Sequence, residues 1–490
     1  MNQRGKVGLF GIGLAAYWPQ FKGLKRRLER YQQVVSSRLD QFCDVVDAGL
    51  VDSAPAAAAA GDLFAREGVE LVICYVATYA TSSQVLPAVQ KTSAPVLILN
   101  LQPASALDYP KTDTGEWLAN CCACCVPEIA CAFARGRIDF HVVTGVLGVT
   151  GGRFKEAPPN HPDAQRAWQE IQDWVRAASV VSRLKRSRIG FLGHTYPGML
   201  DMYSDFTQHT AQLGTHIEVL EMCDLAKRLP KAGERAVATK RAETLSIFEL
   251  SQDSPSDPLA RAPKREQMEW ACRVAVGLDR LVADLDLHGL AYYYRGLDGN
   301  EYERLGAGLI LGCSLLTARG IPASGEGDLK NCQAMKILDL LGCGGSYTEF
   351  YAMDFDEDFL LMGHDGPFHL GIAEGKPILR GLGLYHGKRG YGVSVEAHVR
   401  LGPVTLLALT QTADGRLKLL AAEGESVPGA MLQIGNTNSR IKFKSGMTNF
   451  VNRWCMEGPT HHCALGVGHL LPVTRRIASL LNLPYVEVGQ

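Results

Sequence analysis

Long apolar runs are missing from this sequence. No uninterrupted stretch approaches the roughly 18 residues a membrane-spanning helix needs, so no membrane role is expected. Charge of one sign is missing too. Fifty Lys and Arg stand against 51 Asp and Glu, a formal net charge of -1, which leaves no basic footprint for nucleic acid and fits a neutral substrate. The opening residues place Arg4 and Lys6 around only Val7 to Phe10, without the basic-then-apolar pattern of a signal segment, so a cytoplasmic location is expected. The 14 cysteines follow no regular framework, which argues against a disulfide scaffold and for a reducing compartment. Their one dense cluster, Cys121, Cys122, Cys124 and Cys125, has no partner C-x-x-C and reads as small buried side chains in a helix rather than a thiolate metal site. Internal repeats and low complexity are absent apart from the alanine run 56–60.

What is present is enough apolar material for large cores. A chain of 490 residues at 46% hydrophobic content is expected to form two or three domains. Over the first 150 residues, strand-like runs (Val7–Phe10, Asp44–Val46, Leu71–Tyr75, Val96–Leu99, His141–Val146) alternate with helical patterns. From Phe21, apolar residues Leu24, Leu28, Tyr31, Val35, Leu39 and Phe42 recur at three- and four-residue steps, the stripe of an amphipathic helix, and a second helix is expected over Trp117–Arg135. A long helix from Asp163 leads to a second strand, "RIGFLG", where the alternation restarts through Ile217–Leu220 and Leu290–Tyr294. The charged stretch Ala226–Arg265 reads as helix plus exposed loop. After about Ser346 short β-prone runs punctuated by Gly, Pro and Asp-Gly take over. The expected fold is therefore α/β, two doubly wound parallel-sheet domains (1–180 and 181–345) followed by a β-rich C-terminal domain (346–490).

"KVGLFGIGLAAYW" carries Gly11-x-Gly13-x-x-Ala16, the pattern of a dinucleotide-binding turn. That turn needs a helix starting at its second glycine, whose free N–H groups hold the pyrophosphate. Pro19 would fall inside such a helix, so the helix is expected near Phe21 with Gly13–Gln20 as a loop. The acid that would hold the ribose is also missing at about 20 residues on; Asp44 and Asp47 lie more than 30 residues past Gly11. An NAD(P)-dependent oxidoreductase is thus a weak alternative. A strand-end loop can still face a ligand, which leaves Tyr17 or Trp18 as a candidate wall of a substrate pocket.

Stronger chemistry sits in "IPASGEGDLKN", where Glu326 has a glycine on either side and Glu326 and Asp328 open a helix. Carboxylates in a first helical turn often only complement the helix dipole. The glycines around Glu326, however, expose its backbone and leave room for a ligand. Further on come Glu349, His364 and the adjacent pair His461 and His462, each within a few residues of glycine. Two carboxylates with two imidazoles suit a borderline-hard divalent ion such as Mn2+ better than zinc. Asp354 and Asp356 are alternatives to Glu349.

"GEGDLKNCQAMKILDLL", "SYTEFYAMDFDEDFLLMGHDG" and "GPTHHCALGVGH" resemble the central and C-terminal motifs of the L-arabinose isomerase and L-fucose isomerase family, and "ILNLQPASALDY" and "GPVTLLAL…GRLKLLAAEGE" extend the resemblance in order over most of the chain. The resemblance implies that Glu326, Glu349, His364 and His462 bind Mn2+, that Glu326 and Glu349 form the proton-transferring pair, and that His461 and Gln102 contact a sugar. It also implies a three-domain subunit and a homo-oligomer, trimer or hexamer, with sites lined by more than one subunit. The implied reaction moves a proton between C1 and C2 of an aldose and its ketose through an enediol, on a pentose, deoxyhexose or related sugar. Ala15-Ala16-Tyr17 stands where the arabinose enzymes carry a glutamine before their tyrosine, a hint that the sugar is not arabinose. The rival from another class is a non-catalytic sugar-binding or regulatory paralogue that keeps the fold.

Overall fold

The computed structural model describes residues 4–150, 155–253, 257, 259–294, 300–382 and 391–489. The chain divides into two compact units, 1–182 and 183–490.

In the first unit five strands, β1 (Lys6–Ile12), β2 (Asp44–Val51), β3 (Leu71–Val76), β4 (Val96–Gln102) and β5 (Phe140–Val146), form an all-parallel sheet in the order β2-β1-β3-β4-β5. The helices are α1 (Leu24–Leu39), α2 (Ala54–Glu67), α3 (Ser82–Val89), α4 (Thr114–Leu118), α5 (Val126–Arg135) and α6 (Pro162–Lys185). Every residue of β3 is buried, as a central parallel strand covered on both faces requires. The α1 stripe lies inward through Leu24, Leu28, Tyr31, Val35 and Leu39, but the helix starts at Leu24 rather than Phe21, because Gly23 at φ 86° breaks the turn before it. The alanine run is helical. Ser53 caps α2 by accepting from the Ala56 N–H, and Gly68 at φ 61° ends it. The single helix expected over Trp117–Arg135 is two, separated by Ala119–Cys125: Pro127 lacks an N–H and suits only the first turn of a new helix, α5.

The second unit holds β6 (Arg188–Gly193), α7 (Phe206–Leu213), β7 (His216–Leu220), α8 (Met222–Ala226), α9 (Arg235–Ile247), β8 (Glu249–Leu250), β9 (Ala260–Arg261), α10 (Arg265–Leu285), β10 (Gly289–Tyr293), α11 (Glu303–Gly306), α12 (Leu309–Thr317), β11 (Ala323–Ser324) and α13 (Leu329–Leu340). Then follow β12 (Gly344–Asp354), β13 (Phe359–His364), β14 (Ile378–Leu382), β15 (Val393–Glu396), β16 (Gly402–Gln411), β17 (Leu417–Val427), β18 (Thr437–Lys442), α14 (Met447–Met456), β19 (His462–Val467), α15 (Leu471–Leu480) and β20 (Tyr485–Glu487). A four-stranded parallel sheet runs β11-β10-β6-β7. A seven-stranded sheet runs β16-β19-β12-β13-β18-β17-β20, and β16 also pairs with β17, which closes six antiparallel strands into a ring. Inside lie Val404, Leu406, Leu420, Ile441 and Leu465, packed with Phe450 and Trp454 of α14. The 226–265 stretch is more than helix and loop: β8 and β9 both pair with β14 in a small third sheet. No helix among the described residues is long and apolar enough to cross a membrane.

Helix α13 positions the site. Its residues Leu329 to Leu338 are all buried, and it touches β10 of the parallel sheet together with β12, β16 and β19 of the ring. Polar side chains on so enclosed a helix need partners. Gln333 is bonded through Oε1 to the Nδ1 of His209 on α7, a fully buried imidazole. Burial pushes His209 down to about 4, beyond what the Gln333 bond restores. The folded unit keeps His209 neutral to about pH 4, whereas an unfolded histidine takes its proton near 6.5, so the unfolded state binds more protons between these values and stability is lost as pH falls through that window. The loss attributable to this residue amounts to about 3 kcal/mol once pH 4 is reached. Urea unfolding at pH 6.5 and 4 is expected to show a smaller pH dependence in His209→Gln than in the unsubstituted protein, and equal slopes would contradict the assignment.

Candidate metal centre

β11 ends at Ser324, and the chain turns at the carboxyl end of a parallel sheet, where α/β domains place ligands. Glu326 sits in this turn at φ 58°, left-handed backbone that costs a non-glycine residue about 1 kcal/mol or more. Its neighbours impose that conformation. The Tyr196 N–H donates to the Glu326 carbonyl at 2.9 Å, and at Gly327 (φ 69°) any Cβ would collide with the His194 carbonyl oxygen and lie 2.7 Å from the Thr195 Cα. Glu326 therefore does not open a helix, as its sequence context suggests. The helix begins at Leu329 with Asp328 as its cap, the Asn331 N–H donating to Asp328 Oδ1 at 2.9 Å.

The other members come from the ring. β12 pairs antiparallel with both β13 and β19, in a register that sets Glu349 opposite His462 on one side and Gly363 on the other. His364 ends β13, where its N–H donates to Thr437 Oγ1 at 2.9 Å and its carbonyl accepts from the same hydroxyl at 3.0 Å. The result is a compact cluster. His364 Nε2 stands 3.2 Å from His462 Nε2, 3.7 Å from Glu349 Oε1 and 3.9 Å from Glu326 Oε1, and His462 Nε2 is 3.7 Å from Glu326 Oε2. Asp354 and Asp356 lie elsewhere: Asp354 Oδ1 accepts the N–H groups of Asp356 and Glu357 in the β12–β13 turn, and Asp356 is exposed.

Two of the imidazoles are each oriented by a carboxylate. His462 Nδ1 is 3.0 Å from Oδ2 of Asp328; both side chains are fully buried. With its proton on Nδ1, His462 presents the Nε2 lone pair to Glu326 and His364. Burial lowers the His462 pKa, keeping the ring in the neutral form a ligand needs. His461 is held by Asp201, whose Oδ2 accepts from the His461 N–H at 2.9 Å and from its Nδ1 at 2.7 Å; its Nε2 lies 3.5 Å from Glu326 Oε2. Burial alone would lower the His461 pKa, but Asp201 and Glu326 outweigh it and raise it to about 10, so this ring is cationic at neutral pH. Glu326 is the counterpart: burial would raise its pKa, and its histidine neighbours, His461 first, hold it below the usual carboxylate range.

These groups suit a divalent ion. Donors each about 2.1 Å from one ion at right angles stand about 3 Å apart, close to the separations here. Glu326 Oε2 is buried without a hydrogen-bond partner, its nearest cation being His461 Nε2 at 3.5 Å, so it keeps a lone pair free for an ion. Among the described residues two groups of three, Glu326-His461-His462 and Glu349-His364-His462, each gather within 4.8 Å; the cationic His461 has no lone pair to offer, which leaves the other four as the available donors. Among the described residues no thiol joins these groups, and of the cysteine cluster Cys121, Cys122 and Cys125 are buried and Cys124 is exposed.

Tyr17 and Gln102 belong to the first unit. Tyr17 closes a 3-10 turn after β1, half-buried, its ring edge-on to Phe21 at 6.1 Å; Gln102 ends β4 and donates through Nε2 to the Ala104 carbonyl at 2.7 Å. The glycines of the first loop serve the chain itself. A Cβ on Gly13 would come within 2.8 Å of the Trp18 ring, and one on Gly11 would strike Gln32. Asp47 is engaged by the Gln32 amide at 2.9 Å, and α1 begins eleven residues past Gly13, which leaves no phosphate cradle at that glycine.

Asp201 and Tyr347 have no counterpart in the sequence reading, and Asp328 enters it only as a helix opener. Asp201 meets His461 across 260 residues of chain, with no local pattern to mark it. Asp328 lies two residues after Glu326, but its contact with His462 spans 134 residues of chain.

A parallel α/β sheet that delivers one carboxylate to an imidazole–carboxylate cluster on a closed β-ring defines a candidate mixed oxygen–nitrogen divalent-ion centre. Along most of its length the chain is distantly similar to curated L-arabinose isomerases: 20% identical over 424 residues to that of Aeromonas salmonicida (84% of this chain, 79% of the relative) and 21% over 399 residues to that of Salmonella typhi (80% and 75%). The enzyme of Koribacter versatilis is 23% identical over 274 residues, 53% of this chain and 52% of its own. No protein-family profile matches the chain. A carbohydrate acetylesterase from Sinorhizobium meliloti overlays 36% of the chain and 99% of its own at 15% identity, with a TM-score of 0.21, too low to bear on the fold.

Proposed function

We propose that the protein is a metal-dependent aldose–ketose isomerase that moves a proton between C1 and C2 of a pentose, deoxyhexose or related sugar. The observation that carries the reading is the buried Glu326 Oε2, which no hydrogen bond satisfies and which faces the His461 and His462 nitrogens at 3.5 and 3.7 Å, with Glu349 and His364 beside it. The distant similarity to L-arabinose isomerases supports it.

Glu326, Glu349, His364 and His462 would hold the ion, with Mn2+ the proposed metal on the strength of the donor set. When bound, such an ion supplies Lewis acidity that polarises the sugar carbonyl and acidifies the neighbouring C–H. Glu326 and Glu349 are the proton-transferring pair, one taking the carbon proton while the other moves the hydroxyl proton. Glu326, held ionised, is suited to act as base. His461, a cation anchored by Asp201, donates to a sugar oxygen and offsets negative charge as it develops. Tyr17 and Gln102 are proposed substrate contacts, Tyr17 at the loop that lacks the glutamine of the arabinose enzymes. The rest of the proposal is a cytoplasmic homo-oligomer, trimer or hexamer, of subunits divided as 1–180, 181–345 and 346–490.

The test is a panel of aldoses and ketoses incubated with Mn2+-loaded protein and scored by NMR. At least one aldose–ketose pair is expected to interconvert, with activity lost on chelation and restored by Mn2+. Sugar binding without turnover across the panel would instead identify a non-catalytic binding protein.

A further inference from the structure

Tyr347 stands in the middle of the acid–imidazole cluster. It lies on β12 two residues before Glu349, hence on the same face of the strand, and is fully buried. Its hydroxyl is 2.7 Å from His462 Nε2. With Asp328 holding the proton of His462 on Nδ1, that Nε2 is an acceptor and the tyrosine O–H donates to it. The same lone pair must bind any ion that His462 ligates.

The ring is placed there by construction. It packs on the imidazoles of His364 and His462, with centroids 4.1 and 4.5 Å away. Glycines flank it as well: a Cβ on Gly366 would come within 2.8 Å of the ring, and one on Gly325 within 3.1 Å. These contacts hold the hydroxyl at the nitrogen while the site is empty.

We propose that Tyr347 is a built-in competitor for the ion. Its hydroxyl satisfies His462 Nε2 in the ion-free protein and gives up that hydrogen bond when a divalent cation binds, so that it weakens ion affinity and keeps the empty site folded. This rests on the reading of the cluster as an ion centre. Removing the hydroxyl leaves a buried nitrogen less satisfied in the ion-free state only, which raises the energy of that state and tightens binding. His364 Nε2, at 3.2 Å, can donate in place of the hydroxyl, which limits the gain.

The experiment is Mn2+ titration of the ion-free full chain by calorimetry and electron paramagnetic resonance, on the unsubstituted protein, Tyr347→Phe and Glu326→Gln, with thermal melts at each stage. Tyr347→Phe keeps the ring in its slot. It is expected to bind Mn2+ roughly three- to tenfold more tightly, to melt lower when ion-free and to gain more in Tm on adding Mn2+. Equal or weaker Mn2+ binding by Tyr347→Phe overturns the proposal, weaker binding making the hydroxyl a helper of the ion. If Glu326→Gln binds Mn2+ as well as the unsubstituted protein does, the ion-centre reading fails and the proposal fails with it. Failure confined to Tyr347→Phe leaves that reading standing.

Discussion

Glu326→Gln is expected to lower the rate of sugar interconversion by at least about a thousandfold while the protein remains folded. Removal of a positioned general base alone costs about 10²- to 10⁴-fold, and under the proposed function the same substitution also takes a charged ligand from the ion. The fold should tolerate it. Glutamine has nearly the shape of glutamate, its backbone is clamped by the Tyr196 N–H, and the flanking glycines are untouched. The charge is what disappears, and with it one of the two carboxylates that raise the His461 pKa. Initial rates on the best substrate of the panel, with circular dichroism to verify folding, are the measurement. A Glu326→Gln protein that remains active and metal-replete would sink the assignment of both roles.

Asp328→Asn is expected to weaken Mn2+ binding roughly 10- to 100-fold, the usual cost of losing a partner that orients a metal-binding histidine. Asparagine still caps α13, so the helix keeps its N-terminal acceptor. The His462 tautomer is what changes. A carboxylate accepts from His462 Nδ1–H, while an amide can present its NH2 to that nitrogen and drive the proton to Nε2, where it blocks the ion. Asp328→Ala should lose affinity similarly and also cost about 1 kcal/mol of stability, because the cap goes too. Isothermal titration with Mn2+ and urea unfolding of the ion-free protein separate the two effects. Full affinity in Asp328→Asn would show that the 3.0 Å contact to His462 does not orient the ligand.

The parts of the fold that could be read from the chain are those with a local cause. The stripe from Leu24 to Leu39 marks α1 because one face of it is buried, and Pro19 dismisses the dinucleotide helix because a proline cannot donate. The cluster was legible in Glu326, Glu349, His364, His461 and His462, which the structure gathers within one unit. What escaped is long-range or depends on enclosure. Helix α13 carries Lys330, Asn331, Gln333 and Lys336, the polarity of a surface helix, yet all are buried: Lys330 Nζ donates to the Tyr203 carbonyl at 2.9 Å, and Lys336 Nζ donates to the Gly320 carbonyl at 2.7 Å. The helix itself is expected from the sequence, but its enclosure is not, because no periodicity reveals polar groups satisfied by distant backbone. The left-handed Glu326 is equally invisible, because its strain is imposed by the loop after β6, some 130 residues upstream. Asp201, Asp328 and Tyr347 matter through what they touch, and the touching is tertiary.

The central claim is proton transfer between C1 and C2 by residues around one ion. Its most direct test is the reaction in D2O with the Mn2+-loaded protein, followed by 1H and 2H NMR of the product. Transfer through an enediol with Glu326 and Glu349 as carriers predicts deuterium at C1 of the ketose or C2 of the aldose, and none with Glu326→Gln. Interconversion that proceeds with no solvent deuterium at either carbon would point to a hydride shift and contradict the roles given to both carboxylates.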